Sequence, residues 1–178
     1  MLKNTKDNFG FIAKCLHWVI GLLIIGLIAL GAYMVTLGYY DAWYHDSLSY
    51  HKALGMVVLG LVVAKIAWMI KNTKPDDLSS WTALEKKASF AVHKILLLIM
   101  VLMPLTGYLV STSAGEGISI FGLFEIPALI KIDEQGRDLS IAIHYYLAYG
   151  GAVIILIHAL AALKHHFINK DKTLRRML

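Results

Sequence analysis

His144 and His158 stand 14 residues apart in the last long apolar stretch of the chain, and His17 and His51 open the first two such stretches. An imidazole inside a membrane is costly unless it binds something, so its position there marks function by default. Fourteen helical residues rise about 21 Å, and 14 steps of roughly 100° bring the side chain back to within about 40° of its starting face. His144 and His158 therefore share a face at opposite depths. That arrangement suits a helix holding two metal cofactors, one near each surface.

Composition supplies the membrane. The chain of 178 residues is 58% hydrophobic and only 16% charged, and it contains four runs that approach the roughly 20 apolar residues needed to cross a bilayer. They cover approximately residues 16–36, 51–70, 89–111 and 141–163. Lys65 intrudes in the second run, close enough to its end to snorkel to the interface. The expectation is an all-α integral membrane protein, a single domain over residues 1–178 built as a four-transmembrane-helix bundle.

Charge orients it. The N-terminal lead, the 71–88 connection and the C-terminal tail, with Lys65, Lys94 and Lys164 at helix ends, carry 14 of the 17 Lys and Arg. Positive residues stay inside, so both termini are expected in the cytoplasm of a bacterial inner membrane. Seven of the twelve acidic residues fall on the other side, giving net −4 outside and +9 inside, together the +5 of the chain. The basic balance thus reflects topology and anionic lipid, and implies no nucleic acid. The first helix is too long, and its lead too weakly basic, for a cleaved signal peptide. The single cysteine, Cys15, is expected at the reducing cytoplasmic interface without a disulfide partner.

Local signals refine the layout. Trp43, Trp68, Trp81, Tyr39, Tyr40, Tyr44 and Tyr50 fall at span ends, where amphipathic rings settle. Thr82 and Glu85 have the spacing of a capping box, which starts the third helix well before Ser89. Pro104 inside that helix implies a kink. Residues 118–130 are apolar but broken by Gly122 and Pro127, which reads as a short cap over the outer end of the bundle.

With cytoplasmic termini, helix direction sorts the histidines by depth. His17 and His158 fall near the inner face, and His51 and His144 near the outer one. Two imidazole pairs at two depths match a flat, wide cofactor, and haem is one. Structural zinc wants four N or S ligands in one cluster, whereas these four are split across the membrane, with no CxxC and no HExxH. Gly21 and Gly55 lie four residues after His17 and His51, and Gly151 lies midway between His144 and His158. On a shared helix face such glycines clear room for a porphyrin, although close helix packing explains them equally well. His45 reads as a loop residue. Lys164, His165 and His166 read as an interfacial cluster; His165, Lys164, His93 and Lys52 are the candidates for touching a quinone or a haem propionate.

The chain resembles the bacterial cytochrome b561 family. It is also similar in layout to the cytochrome b subunits of nickel–iron hydrogenases and formate dehydrogenases. The resemblance spans nearly the whole sequence. It rests on the H-W pair at His17 and Trp18, H-K-A-L-G from His51 to Gly55, and M-P-L-T-G-Y from Met103 to Tyr108. The H-x13-H spacing of His144 and His158 and the closing H-H-F…K-D-x-T-L-R-R-M complete it. It implies two b haems with His17, His51, His144 and His158 as axial iron ligands, and electron exchange with ubiquinone or menaquinone.

With both axial positions filled by protein, neither iron has an open site, so the expected chemistry is electron relay across the membrane. The small family members imply a superoxide:ubiquinone oxidoreductase. The alternative is an electron-transfer subunit that links quinone to a separate redox protein, and a haem-free membrane anchor or transporter is a third reading. A positive cleft would aid an anionic donor, yet the outer face is net negative; Lys52, Lys131 and Arg137 are the cations available there, and Asp133, Glu134 and Asp138 the contacts for a docking protein.

Overall fold

A computed structural model describes residues 1–178. Four helices dominate it: α1 Phe11–Met34, α2 Tyr44–Lys71, α3 Ala83–Thr112 and α4 Glu134–Phe167. Each is long and apolar enough to cross a membrane. All four start before the apolar run they contain, because backbone hydrogen bonding continues into the polar turn ahead of it. Two of those turns carry side-chain caps. At Thr82 the full capping box forms: Glu85 N–H donates to Thr82 Oγ1 at 3.2 Å, and Thr82 N–H donates to Glu85 Oε2 at 2.9 Å. Asp133 caps α4 by accepting from Gly136 N–H at 2.8 Å. These bonds satisfy amide groups that have no partner inside the helix. At its other end α1 stops at Met34, two residues short of the apolar run.

Consecutive helices run antiparallel, with α1 against α2, α2 against α3, α3 against α4 and α4 touching α1. Both termini lie at one end of the bundle, called here the terminal end. The buried interior is slim, because most large apolar side chains face outward, as lipid contact permits. One buried layer joins Ile20 of α1 to Val58 and Val62 of α2.

The opposite end is covered by a strand pair. Residues 118–126 form a β-hairpin, β1 Ile118–Ile120 and β2 Phe124–Ile126, antiparallel with Ile118 opposite Ile126. Phe121 and Gly122 turn it at φ 51° and 74°, a left-handed pair that suits the twist of a tight hairpin. Ile118 and Ile120 are buried with Ala53 and Tyr108. The Tyr108 hydroxyl donates to Pro127 O at 2.8 Å and accepts from Leu129 N–H at 2.7 Å. This is the hairpin end. The cap expected over residues 118–130 is thus built on strands, its paired backbone meeting the demand that buried amides find partners.

Candidate functional site

Two imidazole pairs form, one at each end of α4. His17 of α1 faces His158 with ring centroids 6.1 Å apart and planes at 61°. His51 of α2 faces His144 at 6.2 Å and 70°. Two imidazoles bound trans on one metal stand roughly 6 Å apart between centroids, from bonds of about 2 Å and about 1 Å from nitrogen to ring centre. Both pairs have that spacing. No three His, Cys, Asp or Glu side chains gather as a metal-holding group, so the arrangement is one of pairs, unlike a tetrahedral zinc cluster.

The hairpin-end pair is held from α3. His144 Nδ1 lies 3.0 Å from Met103 O and 3.1 Å from Thr106 Oγ1. A carbonyl only accepts, so Nδ1 carries the proton and Nε2 keeps a bare lone pair, the tautomer a metal needs. The Thr106 hydroxyl is itself anchored on Leu102 O and Met103 O, at 3.0 and 2.8 Å. Gly107 makes room: a Cβ there would stand 3.1 Å from His144 Cε1. Gly31 of α1 does the same for His51, whose Cε1 would meet its Cβ at 3.2 Å. His51 Nδ1 is buried and has no protein partner. An apolar cavity opens between the rings, walled by Leu27, Ile28, Gly55, Met100 and Leu147.

The glycines picked out by spacing divide. Gly21 and Gly55 face open space, with nothing within 4 Å of where a Cβ would stand. Gly151 lies on the cavity wall but also packs on Ile99, whose Cγ2 would be 3.3 Å from its Cβ. Gly31 and Gly107 are not among the glycines that spacing selects. Their role depends on how neighbouring helices are rotated, and only Gly107 carries a local signal, through its place in M-P-L-T-G-Y.

At the terminal end α3 adds a third ring. His93 stands 5.1 Å from His158 and holds its Nδ1 proton toward Ser89 O at 2.7 Å. Lys164 pairs with Glu85 Oε1 at 2.7 Å, tying α4 to the start of α3. His165 is buried, its Nδ1 2.6 Å from Asp171 Oδ2, with Trp81 beside it. Burial pushes the Asp171 carboxyl up, but hydrogen bonds from Thr173 and His165 prevail and hold it below its ordinary 3.8. The tail then crosses the bundle: Trp81 Nε1–H donates to Thr173 Oγ1 at 3.0 Å, and Trp18 Nε1–H donates to Met177 O at 2.8 Å. At the hairpin end Lys52 lines a shallow polar cleft with His45, Ser49 and Ser119.

Residues 8–178 match the family described as prokaryotic cytochrome b561. The chain is 38% identical over 175 residues to "Cytochrome b561 homolog 2" of Escherichia coli (strain K12), covering 98% of this chain and 93% of that one. It is 27% identical over 164 residues to "Probable superoxide oxidase CybB" of Yersinia pestis, covering 92% and 91%. A second Escherichia coli (strain K12) protein, "Cytochrome b561 homolog 1", is 29% identical over 128 residues, 72% of each chain. Four membrane-crossing helices, a bundle that pairs imidazoles between them, and a match over nearly its whole length make this chain a member of the prokaryotic cytochrome b561 family, multi-pass membrane proteins of electron transfer whose cofactor is haem b.

Proposed function

We propose that the chain holds two b haems, one between His17 and His158 and one between His51 and His144, and passes electrons between the quinone pool and a donor at the hairpin end. The observation that carries this reading is the pair of ring separations, 6.1 and 6.2 Å, at two depths along one helix. A haem held by each histidine pair would supply one-electron iron chemistry. The chain does the rest. Met103 O fixes the His144 tautomer, and Gly31 and Gly107 let the hairpin-end rings sit against neighbouring helices. The hairpin packs over that end, and the apolar cluster of Ile20, Val58 and Val62 joins α1 to α2 between the depths of the two pairs.

The terminal end faces the cytoplasm of a bacterial inner membrane in this reading, because it carries net +9 against −4 at the hairpin end. Two features favour superoxide as the donor over a docked protein. One relative bears the name of a superoxide oxidase, and the Lys52 cleft at the hairpin end suits a small anion. Each superoxide releases one electron and leaves as dioxygen; two electrons with two protons convert a quinone to quinol. A stopped-flow experiment with superoxide as sole reductant tests this: fast haem reduction, sustained by added ubiquinone, is expected. A flat trace with superoxide, alongside prompt reduction by quinol or a partner protein, would instead identify an electron-transfer subunit.

A further inference from the structure

Arg176 is the one buried Lys or Arg at the terminal end, and Lys65 the one Lys set inside an apolar run. Arg176 is only 8% exposed, its Nε is buried without a partner, and no carboxylate lies within ion-pair distance of it. Its neighbour Met177 offers its carbonyl to the Trp18 indole, and Trp18 stands edge-on to His17 at 5.5 Å. The tail thus brings the residue next to Arg176 against the residue next to His17. Adjacent Arg175 is exposed and Lys164 is paired with Glu85, so neither presents the same problem.

Lys65 is the second. It follows Val58 and Val62 at seven and three residues, the spacing of one helix face, and both valines are buried against Ile20. Because α1 and α2 run antiparallel, moving one turn from Ile20 to His17 and one turn from Val62 to Lys65 leads to the same depth. This puts Lys65 one helical turn beyond Val62, at the depth of His17 on the neighbouring helix. It too lacks an acidic partner. Arg176 is buried and Lys65 half-buried near its helix end; a buried charge left unpaired is costly, and a bound anion would remove that cost.

We propose that Lys65 and Arg176 form a carboxylate clamp that takes the two propionates of the haem held by His17 and His158. The proposal rests on the two-haem reading above. Chemistry selects the ligand: two separate cations beside an imidazole pair match a flat group that carries two carboxylates on one edge. The clamp also gives the tail a purpose. Segment 170–178 is folded under the bundle so that one of its arginines reaches the cofactor from below, while Lys65 reaches it from α2.

The test uses full-length protein purified with haem, comparing Arg176→Gln and Lys65→Met with the charge-keeping Arg176→Lys and Lys65→Arg. Haem transfer to apomyoglobin and the two midpoint potentials are measured. A hydrogen bond to a charged group is worth on the order of ten- to a hundredfold in affinity, so one haem should leave that much faster from the neutral variants. Its potential should fall, because losing a nearby positive charge favours the ferric state, while the other haem is unmoved and the charge-keeping variants stay near wild type. Unchanged transfer rates and potentials in both neutral variants overturn the clamp. So does native mass spectrometry showing that those variants lose a bound anionic phospholipid while the haem is unaffected, which would make the ligand a lipid phosphate. Circular dichroism is recorded on the same samples; if Arg176→Gln loses helix, Lys65→Met against Lys65→Arg carries the test alone. A wild-type chain with no haem at His17 and His158 fails the two-haem reading itself, and that shows in haem content before any variant is made.

Discussion

At the scale of single residues, each histidine is worth what its partner across the bundle makes of it. Replacing His17 or His158 with Ala should empty or convert to high spin the haem at the terminal end. His51→Ala and His144→Ala should do the same at the hairpin end, each leaving the other spectrum intact. Disturbance of one and the same haem by His17→Ala and His51→Ala would contradict the pairing. Gly107 offers a subtler probe. A methyl group there would stand 3.1 Å from His144 Cε1, so the ring must shift by a few tenths of an ångström, and overpacking of this kind costs about 1–3 kcal/mol. Gly107→Ala should alter the spectrum or potential of the hairpin-end haem alone, as read by a redox titration. The four histidines can be paired from sequence because helix direction and apolar run length determine depth. Their supports cannot. Met103 serves through a backbone carbonyl, which carries no side-chain signature, and Gly31 serves a residue on a different helix.

At the scale of elements, two non-helical pieces hold the ends. The hairpin is pinned by Tyr108, whose hydroxyl makes two bonds to the 127–129 backbone. Net contributions of about 0.5–1.5 kcal/mol per bond predict that Tyr108→Phe costs roughly 1–3 kcal/mol. It should speed amide exchange at Leu129 and leave the helices protected; hydrogen-exchange mass spectrometry reads both. The tail is pinned by Asp171, which accepts from Thr173 N–H at 2.8 Å and meets His165 at 2.6 Å. Its carboxyl is held below 3.8 in the folded protein, so the contribution is fully present above that value and is lost as pH falls through the lowered one. Asp171→Asn should therefore loosen the tail at neutral pH and flatten its response to acid, measured as protease cleavage within residues 170–178. The helices and the capping box are legible because each is written in contiguous residues. The hairpin is not, since a three-residue strand in an apolar loop has too short a period to distinguish it from an irregular cap. Nor is the burial of His165 and Arg176, because a tail rich in Lys and Arg reads as solvated until indole and carboxylate partners fold it back.

At the scale of the whole molecule, a thin core is compatible with stability because lipid takes the place of buried neighbours for most apolar side chains. The charge split between its ends predicts that a reporter fused to the C-terminus is active only in the cytoplasm. Electron relay between the two ends requires both imidazole pairs to be occupied, so the most direct measurement is the ratio of haem to protein. A pyridine haemochrome assay on full-length protein, gently purified and quantified by amino-acid analysis, should give two non-covalent b haems per chain. A ratio of one or less, in a sample whose helices are intact, would contradict the account.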